Sequence, residues 1–229
     1  MSGIRENIQD VRSRIEKAAQ KSGRSAGEIK LVAVTKTVEP ERIKEAIGCG
    51  IGIIGENRIQ EAEEKFKEIT EKVEKHLVGH LQTNKAKRAV ELFDLIQSVD
   101  SLHLAEEISK RASQSGKVMD VLVEVNTSGE KTKFGVEPEE TLSLIESISG
   151  LEGIRVEGLM TVGLFSDDAE AARPCFRKLG TLFEEIKQAN VSSVEMRYLS
   201  MGMTSDFEVA IQEGSNMVRI GTGIFGARR

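Results

Sequence analysis

Apolar positions along the 229-residue chain recur with two different periods. Ile4, Ile8, Val11 and Ile15 return every three or four residues and so share one helical face. Gly23 follows the charged end of that segment, so the chain is read as opening on an amphipathic helix. Downstream, short apolar runs predict strands at 31–35, 51–55, 76–81, 95–99, 120–125, 156–161, 197–200 and 217–220. Helical spacing fills the intervals at 41–47, 58–73, 84–93, 102–113, 138–148, 168–188 and 206–213. Ser205-Asp206-Phe207-Glu208 has the S-x-x-E form of a capping box at the start of the last helix.

Strands that alternate with helices in this way predict a single α/β (β/α)8 TIM barrel with an additional N-terminal helix, closed by right-handed crossovers. The rival is a doubly wound open sheet, but no G-x-G-x-x-G follows the first strand. The glycines of Gly48-Cys49-Gly50-Ile51-Gly52 precede the second strand and read as a helix-to-strand turn. With no Pro/Ser/Gly-rich linker and no short repeat, residues 1–229 are expected to form one domain.

Charge and composition narrow the function. Lys and Arg number 32 against 37 Asp and Glu, a formal charge of -5 spread along helical faces, which argues against nucleic acid as the main partner. No apolar run reaches the ~20 residues that span a bilayer, and residues 1–20 form a charged amphipathic pattern, so a cytoplasmic protein is expected. Cys49 and Cys175 are expected to stay reduced. His76, His80 and His103 lack metal-ligand spacing, so no metal is expected.

Lys36 carries the most information. It follows the first predicted strand and precedes the helix-start signal Thr37-Val38-Glu39-Pro40, which puts it at the C-terminal mouth where barrels do chemistry. Partial desolvation there lowers an ammonium's pKa and frees the amine to condense with a carbonyl; an ordinary surface lysine is the alternative. Barrels favour phosphate in the loops after the seventh and eighth strands. Here those loops hold Ser200-Met201-Gly202 and Gly221-Thr222-Gly223, hydroxyls beside glycines that leave backbone amides open; plain tight turns are the alternative. Arg219 shares a strand face with Gly221, while Val218 and Ile220 face the helices, so its guanidinium is expected inside the mouth. There it would meet either a pyridine nitrogen or a structural carboxylate, Glu157 or Glu124. Asn57 could bond a ring substituent or cap the next helix. A lysine with a phosphate cradle suggests pyridoxal phosphate.

The stretches Ala33-Val34-Thr35-Lys36, Gly55-Glu56-Asn57, His80-Leu81-Gln82-Thr83-Asn84-Lys85, Gly158-Leu159-Met160-Thr161, Leu199-Ser200-Met201-Gly202-Met203 and Val218-Arg219-Ile220-Gly221-Thr222-Gly223-Ile224-Phe225-Gly226 occur in this order. They resemble the pyridoxal phosphate homeostasis proteins, over residues 32–228. The resemblance implies a barrel similar to the cofactor-binding domain of alanine racemase, with Lys36 forming an internal aldimine. It also implies Ser200, Gly202, Gly221 and Thr222 at the phosphate of pyridoxal 5'-phosphate, Arg219 at the ring nitrogen and Asn57 beside the ring. Gly223 stands where relatives often have alanine. The resemblance further implies a monomer that buffers the cofactor and delivers it to pyridoxal phosphate-dependent apoenzymes.

A racemase-like enzyme is the alternative. Two-base racemisation needs a second acid on the cofactor face opposite the lysine. The sole tyrosine, Tyr198, lies within the seventh predicted strand and reads as barrel filling, and His80 reads as a core residue. An arginine at the ring nitrogen weakens the ring as an electron sink. A Schiff-base aldolase acting on a sugar phosphate is a third reading, and it would need no pyridine partner.

Overall fold

A computed structural model describes residues 3–227. Among them, eight parallel strands close in sequence order into a barrel: β1 (Lys30–Val34), β2 (Ile53–Glu56), β3 (Glu74–Leu77), β4 (Leu95–Val99), β5 (Met119–Glu124), β6 (Ile154–Met160), β7 (Val194–Ser200) and β8 (Met217–Ile220). The last strand returns to the first, with Val32 opposite Arg219 and Ala33 opposite Ile220. Helices α1 (Ile4–Lys21), α2 (Pro40–Gly48), α3 (Ile59–Lys65), α4 (Ala86–Leu92), α5 (Leu102–Gln114), α6 (Thr141–Ser149), α7 (Arg173–Ala189), α8 (Phe207–Gln212) and α9 (Thr222–Phe225) occupy the connections and the two ends.

Strand alternation sorts the side chains. Val32, Ile53, Val78, Leu95, Leu122, Met160 and Met217 pack together inside the barrel, with Val34 and Tyr198 against them. Val218 and Ile220 point outward and join the apolar face of α1, where Ile4, Ile8, Val11 and Ile15 are all buried. Burying that face covers the seam between β8 and β1, which flanks the site. Arg14 of α1 fixes it further with paired bonds to Glu208 of α8 at 3.1 and 2.9 Å.

Four expectations change. The third strand ends at Leu77 and not at residue 81, because Gly79 lies so close to Asn57 that a Cβ there would sit 2.5 Å from the Asn57 carbonyl oxygen. Helical spacing continues to residue 73, yet α3 stops at Lys65, and Ile69 and Val73 turn back to pack on the α1 side. The capping box does not form: α8 begins after Asp206, whose carboxylate accepts from the Met203 amide at 2.6 Å, while Glu208 is drawn to Arg14. The seventh strand starts earlier than residue 197, at Val194. The glycine cluster at 48–52 is indeed a helix-to-strand turn, with Gly50 at φ 88°. Both cysteines are free thiols, and no described helix is long and apolar enough to cross a membrane.

Candidate functional site

Lys36 is half-buried in the turn that leaves β1, and the residues on either side of it are firmly held. Thr37 has φ 61°, a left-handed conformation that a β-branched residue adopts only when its surroundings impose it. Its amide donates to Glu61 of α3 and its hydroxyl to the Lys36 carbonyl. On the other side, the Thr35 hydroxyl donates to Glu56 at 2.6 Å. Lys65 ties these together. Its ammonium donates to the Thr35 carbonyl at 2.6 Å, to Glu56 at 2.9 Å and to Glu61 at 2.6 Å, satisfying all three of its hydrogens. Burial pushes the Glu56 carboxyl up, with the bonds from Thr35 and Lys65 opposing. Burial also acts on Glu61, but the bonds from Lys65 and Thr37 outweigh it and hold that carboxyl low. Lys65 and Glu61 lie on a stretch that reads as ordinary amphipathic helix, so nothing in the sequence marked them.

Arg219 points into the barrel as alternation requires. It is 5% exposed, and donates to the Ser200 hydroxyl at 2.6 Å and to the Thr161 carbonyl at 2.7 Å. The structural carboxylate alternative does not hold: Glu157 pairs with Arg155 and Arg197, and no carboxylate lies within ion-pair reach of Arg219 among the described residues. Burial lowers the guanidinium to about 10, with Glu124 and Asp206 opposing at longer range, so it stays charged at neutral pH. The Ser200 hydroxyl accepts from Arg219 and donates to Gln97 at 2.7 Å, so it faces the barrel interior.

The two glycine positions differ in what requires them. Gly202 has φ 93°, and a Cβ there would lie 2.6 Å from the Cβ of Ala210 in α8. Close packing alone explains that glycine. Gly221 has an ordinary negative φ, and its nearest neighbour to a Cβ is the Val34 carbonyl oxygen at 3.4 Å, so the fold does not require glycine there. Thr222 is exposed at the start of α9, and its hydroxyl has no partner among the described residues. Because β1 and β8 are paired neighbours, Lys36 and Gly221-Thr222 leave the barrel side by side.

Around the rest of the mouth, Asn57 does not cap α3, which begins after Arg58. Its side-chain oxygen is buried with no partner among the described residues. The same holds for one carboxyl oxygen of Glu124 at the end of β5. Burial, then repulsion from Asp100, raise Glu124 to about 7 against the attraction of Arg219. Glu124 borders a cavity of about 220 Å³ that it shares with Asn126, Thr161 and Phe134. His80 is not a core residue: it stacks on the exposed Phe134 at 3.7 Å and approaches Asp100 at 3.4 Å. Tyr198 does fill the barrel, and its ring lies 5.5 Å from Lys30, the first residue of β1, at the end away from Lys36.

A sequence profile of the family described as alanine racemase, N-terminal domain, matches residues 3–229. The pyridoxal phosphate homeostasis protein of Aquifex aeolicus is 45% identical over 225 residues, 98% of either chain. The Escherichia coli protein of that name is 36% identical over 239 residues, covering 100% of this chain and 98% of that one. The chain belongs to the pyridoxal phosphate homeostasis protein family. The solved structure of PipY of Synechococcus elongatus with pyridoxal phosphate bound is 32% identical with a TM-score of 0.86, covering 97% of this chain and 100% of that one. Alanine racemase of Clostridium difficile, at 18% identity and TM-score 0.75, shares the fold; this chain covers 60% of it.

Proposed function

We propose that this protein holds pyridoxal 5'-phosphate in the C-terminal mouth of its barrel, covalently attached through Lys36, and serves cofactor homeostasis and delivery rather than turnover. The single domain 1–229 would act in the cytoplasm as a monomer and pass the cofactor to pyridoxal phosphate-dependent apoenzymes. When bound, the cofactor supplies an aldehyde that primary amines capture reversibly. The observation that carries the reading is the adjacency of Lys36 to Gly221-Thr222, an amine beside an anion cradle whose glycine the fold itself does not need.

The fit is chemical as well as spatial. Among the described residues, Asn57 and Glu124 present buried oxygens without donors, and a bound polar ring relieves that deficit. Gly202, Gly221 and Thr222 take the phosphate. Ser200 contributes by bracing Arg219, whose guanidinium would meet the ring nitrogen. A guanidinium donor there keeps that nitrogen an acceptor, which weakens the ring as an electron sink and disfavours carbanion chemistry. Tyr198, far from Lys36, cannot act as a second acid. A racemase-like second reading rests on His80, which stands at the mouth beside Asp100.

Borohydride reduction of the loaded protein followed by peptide mapping tests the attachment. The adduct is expected on Lys36 and absent in Lys36→Ala, and an adduct mainly on Lys85 overturns the assignment. Incubation with L-alanine in deuterated water tests turnover: the α-proton is expected to persist, and many-fold washout within minutes establishes the racemase-like reading.

A further inference from the structure

Barrel interiors are ordinarily filled by layers of branched apolar side chains. Here four strands place polar groups in one continuous line. Arg219 of β8 donates to the Ser200 hydroxyl of β7 at 2.6 Å, and that hydroxyl donates to Gln97 Oε1 of β4 at 2.7 Å. Gln97 Nε2 lies 2.9 Å from His76 Nδ1 of β3, and His76 Nε2 lies 2.8 Å from Glu74 Oε1. His76, Gln97 and Ser200 are wholly buried, whereas the Glu74 side chain is 41% exposed where β3 begins, at the end of the barrel away from Lys36.

With the Gln97 amide as it stands, donor and acceptor chemistry places each proton in the line. Arginine has no lone pair to offer, so the Ser200 oxygen must accept from it and send its own hydrogen to Gln97 Oε1. The Gln97 amide turns its NH2 toward His76, so Nδ1 is bare and the ring proton sits on Nε2. That proton then points at Glu74, a carboxylate that only accepts. All donations run one way, from a pure donor at the mouth to a pure acceptor at the opposite end. A second amide hydrogen reaches the sulfur of Met217 at 3.2 Å, a contact that a flipped amide would lose.

We infer that Gln97, His76 and Glu74 are positioning residues for Arg219: they hold its guanidinium in register with the cofactor ring and couple the far end of the barrel to that register. The inference rests on the proposed role of Arg219 at the ring nitrogen. Satisfying buried polar groups would need no common direction and no exposed terminus, and this line has both.

Two variants and two readouts test it. In the cofactor-free wild type, ring-nitrogen NMR is expected to show His76 as the neutral Nε2–H tautomer, and Gln97→Leu is expected to shift or broaden the Arg219 side-chain N–H signal. An Nδ1–H tautomer, or an unmoved Arg219 signal, overturns the relay whether or not pyridoxal phosphate binds. In the loaded protein, Gln97→Leu is expected to move the cofactor absorbance and weaken binding by about tenfold, the weight of one hydrogen bond. Gln97→Glu restores the line only if His76 takes a second proton, on Nδ1. Its cofactor spectrum should therefore match that of wild type with neutral His76 only while that proton is held, and depart from it as the proton leaves. Glu124 and Asp206, whose charges also reach Arg219, are common to both proteins. Superimposable profiles for wild type and both variants overturn the inference, while failure of the wild type to bind the cofactor defeats the proposed function instead.

Discussion

Lys65 shows how a single residue holds the site without touching it. Its ammonium is buried between Glu56 and Glu61 and bonds the carbonyl just before Lys36. Removing one member of such a buried group leaves the others uncompensated. Lys65→Met is therefore expected to lower stability by roughly 3–5 kcal/mol in denaturant titration. Adding Glu56→Gln should recover part of that loss, because one stranded charge is gone. A single variant as stable as wild type would mean that the group relaxes into water. Lys36 itself was legible in the sequence from its place after an apolar run. Its supports were not, because an inward-turned lysine on a helix looks like an outward one.

At the level of elements, the loops after β7 and β8 carry glycines of different kinds, and substitution should separate them. Gly202→Ala forces a Cβ against α8 from a left-handed backbone. A cost of roughly 2–5 kcal/mol is expected, read as a lower Tm with or without cofactor. Gly221→Ala meets nothing closer than ordinary contact, so the cofactor-free Tm should stay near wild type while affinity for pyridoxal phosphate falls. Comparable affinity in that variant would take Gly221 out of the cradle. Both glycines sit in similar sequence surroundings. Only the packing of α8 shows that the fold demands a glycine at 202 and not at 221.

For the molecule as a whole, the closed barrel drives charges together and makes stability depend on pH. Glu124 is held at about 7, above the ordinary carboxyl value, so the folded state binds its proton more tightly than the unfolded state does. That contribution is fully present below the unfolded pKa and is lost as pH rises through 7. Glu124→Gln, which is always neutral, should thus gain on wild type between pH 5 and pH 8, by on the order of 3 kcal/mol from a shift of this size. Thermal unfolding of the cofactor-free proteins across that range checks the sign, and a gap that narrows with pH would refute it.

The sequence by itself determined the alternation of strands and helices, the buried face of α1, the inward aim of Arg219 and the place of Lys36 just beyond the first strand. Each follows from local periodicity, since every second strand residue and every third or fourth helix residue must share a face. The tertiary structure decided what those side chains meet. His76, Gln97, Ser200 and Arg219 are far apart along the chain and become a single line only when β8 closes on β1. The raised Glu124 and the clamp of Lys65 on Thr35 likewise depend on neighbours from other strands and on the water those neighbours exclude. Periodicity encodes which way a residue faces, but contact between distant residues and the dielectric around them exist only once the barrel is shut.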